Sequence, residues 1–267
     1  MLSNSRTSGS ASLAWWAVLG LSAALAAGAL LHDTNRETNP FWRLSETILT
    51  ASKTTLYLMA ASAALATLFG IVIAVFRVSR KKPLQFLGAI YVELIRGVPL
   101  LVLLLLIYYG VNRHLGPTSN PTGLDLRLSQ FWAAVVGISL CYAAFIGEAI
   151  RAGIQAIPPE EIEAAVLEGN RFQVYRYIIV PQAFRIVLPS WTNEMVAMLK
   201  DTSLVYAVAL TDITWAAKIF GASTGYYFEA YGAVALVYAV LTLLLSRFAR
   251  WLELTLQVEQ FHAGNTH

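Results

Sequence analysis

RAGIQAIPPEEIEAAVLEGNRFQVYRYIIVPQAFRIVLPS, residues 151–190, is the polar interval of a greasy chain. It holds four prolines, four glutamates and four arginines between two apolar blocks. An interval so charged and so rich in proline is not another membrane span. It lies outside the bilayer, where something must touch it.

The rest of the sequence supplies the bilayer. Of 267 residues, 57% are hydrophobic and 13% charged, and the mean hydropathy is +0.58. That composition belongs to a polytopic membrane protein and not to a soluble domain. The net charge of +3 comes from basic residues scattered among apolar runs, which argues against nucleic-acid binding. Cys141 is the single cysteine, so an intrachain disulfide is excluded, and its apolar setting reads as core packing.

Six spans are expected, giving an all-α, polytopic membrane helical bundle. Residues 13–31 are uncharged and just long enough to cross a core of roughly 30 Å. They are either a retained span or a signal segment, and their length favours retention. Residues 32–53 read as a loop, with room for a short surface helix from Ser45. Residues 54–76 form the second span, followed at once by Arg77, Arg80, Lys81 and Lys82. The third span runs from Gly97 to Asn112 with part of the preceding segment, and a break is expected at Gly97 and Pro99. Residues 113–127 read as an ordered loop. Residues 128–147 are the fourth span, and residues 191–211, interrupted by Glu194, Lys200 and Asp201, the fifth. Residues 212–229 read as a loop with an aromatic belt, and residues 230–246 as the sixth span.

The basic residues orient this array. With a cytoplasmic amino terminus, the inner side collects Arg6, Arg77, Arg80, Lys81, Lys82, Arg96, Arg151, Arg171, Arg176, Arg185, Arg247 and Arg250. The outer side holds Arg36, Arg43, Lys53, Arg113, Arg127 and Lys218. The excess puts the central interval and both termini in the cytoplasm.

Nucleotide and catalytic motifs are missing. There is no Gly-Lys dipeptide for a P-loop, no pair of glycines two apart for a dinucleotide fingerprint, and His32, His114, His262 and His267 do not make a metal-binding helix motif. No cofactor is expected. If transport here uses ATP, another chain hydrolyses it. In the central interval, Pro158 and Pro159 open a helix whose first turn carries Glu160, Glu161 and Glu163 at the positive end of the helix dipole. Ala164 and Ala165 give it a small, smooth face. Gly169 is placed to end it and Asn170 to cap the next helix, which runs through Arg171, Phe172, Tyr175 and Arg176. Such a knob suits a groove on a partner; the competing reading is an amphipathic hairpin on the inner leaflet.

Glu163-Ala164-Ala165, three further residues, Gly169, and then Ile178-Ile179-Val180-Pro181 resemble the EAA loop of ABC importer permeases. In that family the loop forms a coupling helix seated on the ATPase subunit. The interval from glycine to proline is one residue shorter than the family's usual, so a tighter turn between the two helices is expected. Tyr91-Val92-Glu93-Leu94-Ile95-Arg96-Gly97-Val98-Pro99, Pro181-Gln182-Ala183-Phe184-Arg185 and Lys200-Asp201-Thr202-Ser203-Leu204 are similar to the polar amino acid branch, relatives of histidine and glutamine permeases. The resemblance covers roughly residues 45–255, the transmembrane domain, and leaves 1–44 as an extra helix and loop and 256–267 as a tail. It implies a five-helix core in a bacterial inner membrane. The implied partners are ATP-binding cassette ATPase subunits, a second permease copy or paralogue, an extracytoplasmic solute-binding protein and lipid. ATPase coupling is assigned by it to Glu160, Glu163, Ala164, Ala165, Gly169 and Arg171. Permeases for other small polar solutes remain open, as does a self-contained secondary transporter. The latter calls for paired broken helices in both halves, and only the fifth span is interrupted by charge.

A charge at mid-membrane costs at least about 2.5 kcal/mol on insertion scales, so each needs a reason. Glu194, Lys200 and Asp201 are candidates for the substrate path, meeting the ammonium and carboxylate of a free amino acid. Lys200 and Asp201 alternatively pair or snorkel at a helix end. Glu148 with Arg151, and Glu93 with Arg96, have the i,i+3 spacing of structural pairs.

Overall fold

The computed structural model describes residues 40–116, 125–168 and 170–257. Among them the fold is all-helical, as expected, without a strand. In chain order the helices are α1 Pro40–Val78, α2 Lys82–Gly97, α3 Leu100–Leu105, α4 Asn112–Leu115, α5 Gln130–Gln155, α6 Pro159–Glu168, α7 Arg171–Val174, α8 Val180–Asp201, α9 Ile213–Thr224 and α10 Tyr227–Gln257. Wider π turns join α3 to α4 (Leu106–Val111) and α7 to α8 (Tyr175–Ile179), and a 3-10 segment, Thr202–Val208, extends α8. Three of these helices, α1, α5 and α10, are long and apolar enough to cross a membrane. Two bent pairs raise the number to five if each is one span. The expected first span at 13–31 and the tail from 258 lie outside the described residues.

Two of the following expectations are corrected, and one, the break at Gly97 and Pro99, is borne out. The second span was expected from residue 54, but α1 begins at Pro40, whose fixed φ suits a first helical turn. Arg43, Glu46 and Lys53, which make this stretch look like a loop, are exposed, while Leu44, Ile48, Ala51, Thr55, Leu58, Ser62 and Ala66 form one buried stripe at three- and four-residue spacing. Second, the third span breaks where expected, but by a turn of 102° between α2 and the Leu100–Leu115 segment. Val98 is extended there and Pro99 has no N–H to carry the helix through. Third, residues 212–229 are not a loop. Asp212 caps α9, accepting from the N–H groups of Thr214 at 3.1 Å and Trp215 at 2.8 Å, and Ile213, Ala216, Ala217 and Phe220 are buried at helical spacing. The helix ends at Gly225, whose φ of 82° is left-handed.

The chain divides into two compact units. In Met1–Thr55 with Thr211–Leu241, described from Pro40, the core joins Leu44, Ile48 and Ala51 to Ile213, Ala217 and Phe220 and to Ala230 and Val234. Thr55 Oγ1 accepts from the Ile213 N–H at 3.4 Å, and the Tyr238 hydroxyl donates to Asp212 Oδ2 at 3.3 Å, so the buried Asp212 is partnered on every side.

In Leu56–Leu210 with Thr242–His267, α5 is central. Ala133, Ala134, Val135, Ile138, Ala143, Ala144 and Ile146 are buried along it. Neighbours approach it over glycines: a Cβ on Gly147 would lie 2.9 Å from Ile73 Cγ2 of α1, one on Gly137 2.8 Å from Leu104 Cδ2 of α3, and one on Gly153 would strike Val187 of α8. Small residues at crossings are how membrane helices gain close packing without a hydrophobic driving force between them.

Candidate functional site

The central interval folds into α6, α7 and the start of α8. Pro159 opens α6 with Glu160 and Glu161 in its first turn. Ile162 and Ala165 turn inward against a small core of Ile157, Val174, Ile179 and Ala183. The opposite face carries Glu160, Glu163, Ala164 and Leu167 at i, i+3, i+4 and i+7, all exposed, Leu167 at 89%. Ala164 is therefore offered outward and Ala165 is used for packing. Glu161 is tied back by Gln182, whose Nε2 donates to Oε2 at 3.1 Å.

Asn170 caps α7 as its sequence position suggested. Its Oδ1 accepts from the Gln173 N–H at 3.0 Å, and Gln173 Oε1 accepts from the Asn170 N–H at 3.1 Å, a reciprocal capping box. Gly169 and the Arg171 side chain lie outside the described residues. The tighter turn expected between the two helices falls at Gly169, outside the described residues. From Arg171 the backbone stays helical into α8, and the π turn precedes Pro181: the Val180 N–H reaches back to the Tyr175 carbonyl. A wider turn there relieves the clash that a proline ring makes with the preceding turn. Phe172, Tyr175 and Tyr177, like Leu167, are exposed.

Glu148, at the end of α5 that leads into the loop, is paired as its spacing predicted, and doubly so. Arg151 Nη2 and Arg77 Nε each lie 2.8 Å from its two oxygens, and Arg151 Nη1 also donates to Gln155 Oε1 at 2.6 Å. The Glu93–Arg96 pair is not formed: among the described residues neither makes an ion pair, and Arg96 instead stacks 4.8 Å over the Phe145 ring. A flat guanidinium gains more on an aromatic face than from an exposed carboxylate.

The candidate path residues divide. Glu194 and Asp201, seven apart on α8, share a face; both are half-buried, and Arg96 and Asp201 lie within electrostatic range of Glu194. The Tyr142 hydroxyl donates to Asp201 Oδ2 at 2.8 Å. Lys200 is exposed, one residue and therefore about 100° around the helix from Asp201, and does not join them. Tyr142 and Arg96 were not candidates by sequence, since only the α2–α5–α8 packing brings them here. At the other end of the third span, Tyr108, Tyr109, Asn112, Arg113, Arg127 and Leu128 line a cavity of about 400 Å³. Asn112 fixes its wall by exchanging two 2.8 Å hydrogen bonds with the Leu128 backbone. Arg127 is held by Asp125, whose carboxyl that guanidinium lowers to about 2.

The family model for the inner membrane component of binding-protein-dependent transport systems matches residues 66–257. The chain belongs to that family. Among curated relatives of this inner membrane component, the probable glutamine ABC transporter permease protein GlnM of Bacillus subtilis (strain 168) is 39% identical over 203 residues, 75% of this chain and 89% of the relative. The arginine transport system permease protein ArtQ of the same organism is 33% identical over 207 residues, 77% and 90% of the two chains. A solved crystal structure of an amino acid ABC transporter with histidines superposes with a TM-score of 0.70 at 34% identity, covering 79% of this chain and 94% of that one. The methionine transporter MetNI, inward facing, shares the fold at a TM-score of 0.64 and 17% identity.

Proposed function

We propose that this chain is the permease subunit of an ATP-driven importer for a polar amino acid, working with separate ATPase subunits, a second permease and an extracytoplasmic solute-binding protein. Its loop and both termini face the cytoplasm. The observation that carries the reading is the outward stripe of α6, Glu160, Glu163, Ala164 and Leu167: one acidic, small and apolar ridge that nothing among the described residues covers. ATP binding moves the ATPase against that ridge, and α6 passes the movement to the spans through Pro158 into α5 and through the Ile157–Ile179–Ala183 core into α8. Gly169 and Arg171 complete the proposed coupling set.

Inside the bundle, Glu194 and Asp201 receive the ammonium of the solute, and Lys200, on the neighbouring face, is the cation available to its carboxylate. The energy for alternation comes from ligands that bind the inward- and outward-open forms unequally.

In the complete transporter, Leu167→Asp leaves the chain in the membrane and abolishes both uptake and solute-stimulated ATP hydrolysis. A burial-scale loss of one leucine contact, about 1.5–3 kcal/mol, together with an added charge at the contact, is enough to unseat a partner. Normal uptake by that variant sinks the coupling role of α6.

A further inference from the structure

The face of α2 that points away from the bundle has no role in the transport reading. With the Leu100–Leu115 segment upright in the bilayer, the 102° turn sets α2 close to the membrane plane. Its contacts fix its depth. Gly88 sits against Phe76 and Arg77 at the end of α1, where a Cβ would lie 3.1 Å from Arg77 Cδ, and Arg96 lies over Phe145, one turn before Glu148. Gly88 and Arg96 thus place α2 beside the ends of α1 and α5 that carry the Arg77–Glu148 ion pair, while the Tyr91 hydroxyl of its middle donates to the Leu140 carbonyl of α5 at 2.7 Å.

Around its axis α2 has separate faces. Gly88 and Val92 are buried against the bundle. Phe86, Leu87, Ile90 and Leu94 form an exposed apolar stripe, each between 37% and 65% exposed. Lys82, Gln85 and Glu93 make an exposed polar side. Arg80, Lys81 and Lys82 stand exposed at its start, and none makes an ion pair among the described residues, Arg77 alone of this basic run being engaged.

We propose that α2 is an interfacial helix whose apolar stripe lies among lipid acyl chains and whose basic start, Arg80, Lys81 and Lys82, binds the phosphate of anionic phospholipid headgroups. A helix with an apolar stripe, a polar side and a cationic end is built to lie in the headgroup boundary of an anionic leaflet. The stripe takes the acyl region, and the three cations, without acidic partners among the described residues, take the headgroups. A second copy of the chain seated on the stripe would leave those cations without counter-charge; the bilayer supplies it. This inference needs the chain to span the membrane, but not the coupling role of α6.

The test uses the complete transporter in nanodiscs of phosphatidylglycerol and phosphatidylcholine. Native mass spectrometry of the wild type should show retained phosphatidylglycerol, displaced as salt is raised. The Arg80→Gln/Lys81→Gln/Lys82→Gln variant should retain it more weakly by roughly fivefold per charge removed, with phosphatidylcholine unchanged. A fluorophore on Leu87→Cys should be quenched by brominated acyl chains. Retention that is insensitive to salt in the wild type, or equal in the triple variant, overturns the headgroup site. Disulfide formation between two Leu87→Cys copies without lipid quenching overturns the interfacial placement, since the stripe would then be covered by a second chain.

Discussion

Glu148 and Glu194 are both glutamates within spans of one unit, and their surroundings are opposite. Glu148 is held by Arg77 and Arg151 at 2.8 Å each. Glu194 makes no ion pair among the described residues, and the guanidinium within its electrostatic range, Arg96, is committed to the Phe145 face. A carboxylate whose oxygens are already taken by two guanidinium groups has little left for a ligand. One that is equally half-buried but has no ion-pair partner among the described residues leaves its oxygens open to something that arrives. The difference separates the carboxylate that joins α1 to the loop-bearing end of α5 from the carboxylate proposed to meet the solute.

Removing Glu148 should produce the larger effect on stability. Glu148→Ala leaves Arg77 and Arg151 facing each other with side chains only 21% and 29% exposed, and breaking a part-buried pair in this way costs about 1–3 kcal/mol, between the surface and buried cases. Thermal unfolding of the purified complex should report it, with partial recovery in Arg77→Met/Glu148→Leu, where one cation is withdrawn along with the anion. An unchanged unfolding temperature for Glu148→Ala would erase the contrast from the structural side.

Glu194→Gln sharpens it from the other side. Because no ion pair is lost, the complex should unfold as the wild type does, while uptake falls roughly ten- to a hundredfold through loss of a charge-assisted hydrogen bond worth about 1.5–3 kcal/mol to the solute ammonium. The loss should appear as a raised KM for uptake with the loaded binding protein in excess. A stability loss matching that of Glu148→Ala, with normal uptake, would make Glu194 a second structural anchor.

Much of this was legible in the sequence, in the parts where physics acts over short distances. The uncharged run of α5, the Pro158–Pro159 opening of α6, the Asn170 cap and the Glu148–Arg151 pair are all decided within a few residues of themselves. What escaped was decided across the fold. Arg77 lies 71 positions from Glu148 and Tyr142 lies 59 from Asp201, so neither partner has a local signal. The inward turn of Ala165 beside the outward Ala164 depends on a core assembled from α7 and α8. Leu167 and α9 are different: Leu167 stands at i+4 from Glu163, and Asp212 followed by apolar residues at helical spacing is a start signal. The aromatic residues around α9 drew the reading towards an interfacial loop instead.

The smallest effect expected is at Tyr142. Its hydroxyl donates to Asp201 at 2.8 Å, and if it serves only to hold that carboxylate in place, Tyr142→Phe should cost about 1 kcal/mol of stability and reduce uptake severalfold at most, since Glu194 remains. The double variant Tyr142→Phe/Asp201→Asn discriminates further. A hydroxyl that acts through Asp201 has nothing left to do once the carboxylate is gone, so the double variant should transport as Asp201→Asn alone does. Full additivity, with a KM raised as far as in Glu194→Gln, would mean that Tyr142 touches the solute itself. The solute-facing set would then extend from α8 onto α5, six residues before the clamped Glu148, and the two glutamates would mark neighbouring levels of one path instead of two separate tasks.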